Sequence, residues 1–160
     1  MKYLKIIFIG IYFFLIGLIF TFAASPATTS TATSDKTTEI VIETYDFITP
    51  TKESVTERHP IDEIKNFVRK AIGHFGLFLV LGIFGTLSLI FILDNKYIIL
   101  FIILISGISV AAISEILQIY AEARGPAIKD VLLDYSGYLI SALIIYLIYI
   151  LTKGSKKYAK

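Results

Sequence analysis

YIILFIILISGISVAAISEILQI, Tyr97 to Ile119, is a run of 23 residues with a single charge, Glu115. A helix that crosses the hydrocarbon core of a bilayer needs about 20 mostly apolar residues at ~1.5 Å rise each. The stretch meets that requirement. Three other stretches meet it too: Ile6 to Ala24, Ala71 to Leu93 and Val131 to Leu151, holding 19, 23 and 21 residues. None alternates apolar with polar residues, and all are too long for barrel strands. A helix is the one open segment that satisfies its own backbone in lipid. The sequence therefore predicts an all-α membrane protein with four transmembrane helices.

Composition agrees. Of 160 residues, 56% are hydrophobic and 18% charged, with a net charge of +2. Soluble domains average roughly 45–50% apolar and about 25% charged. A soluble single-core domain and a disordered tail are excluded, and so is a nucleic-acid binder, because no basic stripe is left for phosphates. With no cysteine, disulfides, thiolate metal sites, a Cys nucleophile and a lipidated Cys anchor are excluded as well. With no tryptophan, the interfacial aromatic role falls to tyrosine.

The first run has the basic start of a signal peptide in Lys2 and Lys5, and Ser25-Pro26-Ala27 is a weak cleavage site. Its 19 residues exceed the usual ~7–15 of a signal core, so a retained helix is expected. Lysines set the orientation. With both termini inside, Lys2, Lys5, Lys96, Lys153, Lys156, Lys157 and Lys160 are cytoplasmic, against Asp94 alone. The segment from Ser25 to Asn66 is then outside, with eight acids and four bases. Arg69 and Lys70 lie on the outer side in this arrangement. The inverted one would translocate the four-lysine tail, so N-in/C-in is expected.

The expected organisation is a first transmembrane helix (1–24), an extracytoplasmic flexible linker (25–59), a core with three transmembrane helices (60–152) and a basic cytoplasmic tail (153–160). Ser25 to Thr38, SPATTSTATSDKTT, reads as an extended, low-complexity linker. Glu39 to Phe47, EIVIETYDF, alternates and reads as a short strand or a segment lying on headgroups. From Pro60 a helix begins, with Asp62 and Glu63 at its positive end. Ile61, Ile64, Phe67, Val68 and Ile72 share one face, which predicts an interfacial amphipathic helix before the second span.

Few polar residues interrupt the spans. His74 lies about one turn into the second, Glu115 a little over one turn from the end of the third, and Asp134 about one turn into the fourth. Helical rise puts all three roughly 5–7 Å below the same surface. Arg124 sits above them in the loop YAEARGPAIK. Glu115 and Gln118 are i, i+3 neighbours, as Lys70 and His74 are i, i+4. Asp130, Asp134, Gly137 and Ser141 form one stripe of the fourth span, and Gly107, Ala111 and Glu115 one stripe of the third. Small residues let helices approach closely in lipid, so the acids should face other helices. A carboxylate facing lipid costs about 2.5–3.5 kcal/mol at mid-membrane and less near an interface. That cost favours pairing with Arg124, Lys70 or His74. Taken alone, His74 also reads as interfacial decoration and Asp130 as a helix N-cap. A purely structural ion-pair cluster stands beside the functional reading.

RKAIGHFGLFLVLG (Arg69 to Gly82) and AISEILQIYAEARGPAIKDVLLDYSGYLIS (Ala112 to Ser141) resemble the VanZ-like family. These are small four-helix bacterial membrane proteins named for a teicoplanin-resistance factor. Lys70 with His74-Phe75, Glu115 with Gln118, the loop Arg124, and Asp130, Asp134 and Gly137 fit its ordered pattern. Ala24-Ser25-Pro26-Ala27 echoes the end of its first helix. Leu117 stands where many members carry His, and Gly76-Leu77-Phe78 where many carry Glu-Tyr. The loop reads Ala123-Arg124-Gly125-Pro126 rather than Pro-Gly-Arg. The resemblance implies the cell membrane of a Gram-positive-type bacterium and a link to glycopeptide resistance.

Two functional readings follow. One is a non-enzymatic envelope factor whose outer cluster (Lys70, His74, Glu115, Gln118, Arg124, Asp130, Asp134) binds a cell-wall precursor, lipid headgroup or glycopeptide. The other is a small intramembrane enzyme acting on a lipid or lipid-linked intermediate. There His74, Glu115 and Asp134 are the acid–base candidates, Arg124 binds a phosphate or oxyanion, and Ser114 or Ser136 are nucleophiles without a motif. A metal held by His74, Glu115 and Asp134 is conceivable, but one His is thin for zinc; no metal or cofactor is assigned. A pore ranks last, because the inner half of the spans offers no polar path and no inverted repeat.

Overall fold

The computed structural model describes residues 2–49 and 54–158, with side chains described to residue 153. Lys52 and Glu53 of the expected outer segment, and Lys160 of the tail, lie outside the described residues, as do the side chains of Lys2, Lys156 and Lys157. The described chain has no strand. It runs α1 (Lys2–Ala24), α2 (Ala27–Ile48), α3 (Val55–Arg58), α4 (Ile61–Val68), a π-helical segment (Arg69–Gly76), α5 (Leu77–Ile92), α6 (Lys96–Gln118) and α7 (Ile128–Tyr158).

Four helical stretches are long and apolar enough to cross a membrane: Tyr3–Ala24, Ile61–Ile92, Lys96–Gln118 and Ile128–Lys153. The second is longer than its apolar run, because α4 continues through the π segment into α5 without a break. The bundle is built on α5 against α7, with α1 packed on α5 and α6, and α6 on α7. Its outside is apolar: Phe14 is 68% exposed, Phe101 64% and Ile148 53%. Apolar surface on this scale is that of a protein solvated by lipid.

The small-residue stripes work as expected. A Cβ on Gly82 would strike the Tyr138 carbonyl and the Ser141 hydroxyl, and one on Gly137 would strike the Phe75 carbonyl. These glycines let the backbones of α7 and the second span nearly touch. Gly107 on α6 accepts the face of the Tyr138 ring. Ser141 closes the contact by donating to Leu79 O at 2.7 Å. At mid-bundle the Tyr138 hydroxyl meets Ser106 Oγ at 2.9 Å.

The segment after α1 departs from expectation. Of the expected linker Ser25 to Thr38, Ala27 to Thr38 is helical rather than extended, and Glu39 to Phe47 is not a strand; both belong to α2 (Ala27–Ile48). Threonine and serine are poor helix formers because their hydroxyls compete for the backbone. Here the hydroxyls bond back within the helix, Thr33 to Thr29 O at 3.0 Å, Thr37 to Thr33 O at 2.9 Å and Thr38 to Ser34 O at 2.8 Å. That is compatible with helix. Docking on α4 supplies the rest: Thr38 is buried, and Lys65 Nζ lies 2.9 Å from Asp35 Oδ1. The turn to α3 is tied by Asp46, which accepts from the Ser54 hydroxyl and, at 3.1 Å, from Val55 N–H. The amphipathic helix from Pro60 is present as α4, with Pro60 as its N-cap and Val68 as its buried anchor.

Candidate functional site

Three spans deliver one ionisable side chain each to the same end of the bundle. His74 comes from the π segment, Glu115 from the last turn of α6, and Asp134 from the second turn of α7. His74 Nδ1 lies 3.1 Å from Asp134 Oδ1. One ligand-capable atom of each of the three residues lies within 4.8 Å of the other two. Asp134 is 1% exposed and Glu115 2%, so both carboxylates have left solvent. The π segment is the local device that aims His74: Leu77 N–H reaches back to Ile72 O, five residues away. Such π turns recur at functional sites in helices.

Glu115 is held on two sides. Gln118 Nε2 donates to Oε1 at 2.5 Å, and the Ala127 backbone N–H donates to Oε2 at 2.9 Å. The first bond comes from the i, i+3 spacing; the second comes from the loop before α7 folding back over α6. That loop turns on Ala123, whose φ of 57° lies in the left-handed region.

Of the three partners expected for the acids, Arg124, Lys70 or His74, it is His74 that pairs with Asp134, and Arg124 bonds elsewhere. Its Nη1 donates to Phe22 O at 2.8 Å and to Ser25 O at 3.4 Å. The last carbonyls of a helix have no intrahelical partner, and a cation there complements the helix dipole. Arg124 is thus spent on the end of α1. Burial lowers its pKa below the ordinary arginine value, and Glu115 opposes that shift. Ala27 N–H donating to Glu122 O at 3.1 Å makes a second tie between the same two segments.

A partly open cavity of about 390 Å³ sits over this cluster. Its floor carries His74, Ser114, Glu115, Gln118 and Asp134, with Arg69 and Arg124 at its sides. One wall is apolar, from Ile19, Phe22, Ile72, Leu77 and Phe78. α2 adds hydroxyl-bearing residues to the lining: Thr29, Ser30, Thr33, Ser34 and Thr37. The linker expectation for this stretch does not include that hydroxyl face. Its i, i+4, i+8 threonines were the available signal.

Of the expected cluster, His74, Glu115, Gln118, Arg124 and Asp134 line the cavity, whereas Lys70 and Asp130 do not. Lys70 is exposed. Asp130 is half-buried in the first turn of α7 rather than at its N-cap position. Ser114 lines the cavity, but its hydroxyl donates to Ala111 O at 2.8 Å. Ser136 donates to Leu133 O at 2.7 Å and stands outside the cavity, as does Leu117.

The VanZ/LLP1 family model matches residues 8–149, which include this cluster, the second and third spans and most of the first and fourth. The chain belongs to the VanZ/LLP1 family. No curated protein and no solved structure matches it. For this VanZ-family membrane protein, the polar cavity is a feature of the matched region itself.

Proposed function

We propose that this VanZ-family protein sits in a bacterial cell membrane, N-in/C-in, and uses the cavity at its outer end to bind the headgroup of an amphipathic envelope molecule. The ligand class is a cell-wall precursor, a lipid headgroup or a lipoglycopeptide, and the consequence is reduced susceptibility to teicoplanin-type drugs. The observation that carries the reading is the two-sided cavity. A headgroup meets hydroxyls, carboxylates and an imidazole, while an attached chain meets Ile19, Phe22, Ile72 and Phe78. Pockets of this kind, apolar with a few convergent polar groups, are what small amphipathic ligands need. The orientation is supported by Lys96 and Lys153 at the end of the bundle opposite the cavity, following the bias of lysines toward the cytoplasm.

The test is drug susceptibility in a host lacking the gene, restored with wild type or with His74→Ala or Asp134→Ala. Wild type should lower susceptibility to teicoplanin and the variants should not, at equal membrane levels. Unchanged susceptibility with wild type refutes the drug-related reading.

The 3.1 Å contact between His74 and Asp134 favours a second reading, an intramembrane enzyme acting on a lipid-linked intermediate. A carboxylate behind an imidazole orients it as a general base. Turnover of envelope lipids by purified protein, lost in His74→Ala, distinguishes it from simple binding.

A further inference from the structure

We infer that His74, Glu115 and Asp134 form a binding site for one first-row divalent cation, with an open coordination position facing the cavity. The inference deepens the proposed function by placing an ion on the floor of the same cavity, but it does not depend on the drug phenotype.

Charge is the first argument. Glu115 and Asp134 are almost fully buried side by side, and among the described residues neither has a Lys or Arg nitrogen within 4 Å. Arg124, the nearest obvious counter-ion in sequence, is bonded to the α1 carbonyls instead. Asp130, half-buried nearby, adds further negative charge. Among the described residues His74 is the one basic side chain in direct contact with that set, and Arg124 acts on Glu115 only through space. Buried charges are paired or bind metal.

Geometry is the second. Metal–ligand bonds of about 2.0–2.2 Å place tetrahedral ligand atoms about 3.3–3.6 Å apart. His74 Nδ1 and Asp134 Oδ1 already stand 3.1 Å apart, and the whole set fits within 4.8 Å. One imidazole nitrogen and two carboxylate oxygens suit zinc or manganese. Three protein ligands with a fourth position open is the pattern of a reactive rather than a purely structural ion.

The surroundings are the third. Metal-binding carboxylates are themselves oriented by hydrogen bonds. Glu115 has two such bonds, from Gln118 and from the Ala127 N–H, on different segments. The three residues line the same cavity as the hydroxyls of α2, from which a ligand oxygen would complete the coordination.

The test uses the full chain in detergent, purified through a tag without histidine, stripped with EDTA and dialysed against zinc or, separately, manganese. Metal per chain is then counted by mass spectrometry. One ion per chain is expected, with affinity at least tenfold weaker in Glu115→Gln and in Asp134→Asn and unchanged in His59→Gln. X-ray absorption of the zinc form should show a nitrogen and oxygen shell with one imidazole, a readout that needs only wild type. No saturable binding of either ion, or equal binding in all variants, overturns the site. Ion binding without a susceptibility phenotype removes the drug-related reading and leaves the ion site standing. A phenotype without ion binding removes the ion site alone.

Discussion

Arg124 Nη1 donates to the carbonyl oxygen of Phe22 at 2.8 Å, joining the loop between α6 and α7 to the last turn of α1 across 102 residues of chain. The bond fixes the loop that also supplies the Ala127 N–H to Glu115. Arg124→Ala is therefore expected to loosen α1 and, through the loop, the Glu115 carboxylate. The bond is partly exposed, so the cost is modest, about 1 kcal/mol. Arg124→Lys should recover part of it. Thermal unfolding followed by far-ultraviolet circular dichroism in detergent suits a chain without tryptophan.

His74 and Asp134 should be energetically coupled. Removing one partner leaves the other buried without its hydrogen bond, at about 1–3 kcal/mol. His74→Ala and Asp134→Ala are each expected to destabilise strongly, and the double substitution by less than their sum. Unfolding free energies of the four proteins in one detergent give the coupling. Strict additivity would mean that the two side chains do not interact.

Gly82→Ala and Gly137→Ala should open the seam between α7 and the second span, because each new Cβ meets backbone oxygen. Overpacking of this kind costs roughly 1–3 kcal/mol. Gly73→Ala is the matched control on the same span, with nothing within 4 Å of the added atom. Equal melting of all three variants would contradict the close approach.

Ala123 adopts a φ of 57°, a conformation that costs a residue with a Cβ roughly 1–2 kcal/mol relative to the right-handed region. Ala123→Gly relieves that strain and should raise the unfolding midpoint, the gain being reduced by glycine's greater freedom when unfolded. A lower midpoint would show that Ala123 contributes packing that outweighs the strain.

Much of this was legible in the chain, for physical reasons. Spans are legible because lipid demands long apolar helices, and helical rise is fixed. Counting residues from each span end was thus enough to bring His74, Glu115 and Asp134 to one level. The stripes Gly107-Ala111-Glu115 and Asp130-Asp134-Gly137-Ser141 point to the faces that are buried, apart from the half-buried Asp130. Partners were harder to read. Arg124 looked like a mate for the acids because side-chain charges are visible in a sequence, whereas the unpaired carbonyls of Phe22 and Ser25 are not. α2 is hidden because its threonines and serines disfavour helix locally, whereas its support, docking on α4 and the Lys65–Asp35 contact among others, is tertiary. The hydroxyl lining of the cavity is hidden with it.

The proposed orientation turns the end of the bundle carrying His74, Glu115 and Asp134 toward the outside of the cell. The chain has no cysteine, so single cysteines report cleanly. Glu122→Cys is exposed at the cavity end, and Asp94→Cys is exposed at the opposite end. In intact cells a membrane-impermeant maleimide should label Glu122→Cys, and Asp94→Cys only after permeabilisation. Labelling of Asp94→Cys in intact cells, with Glu122→Cys protected, would turn the cavity toward the cytoplasm and contradict the account.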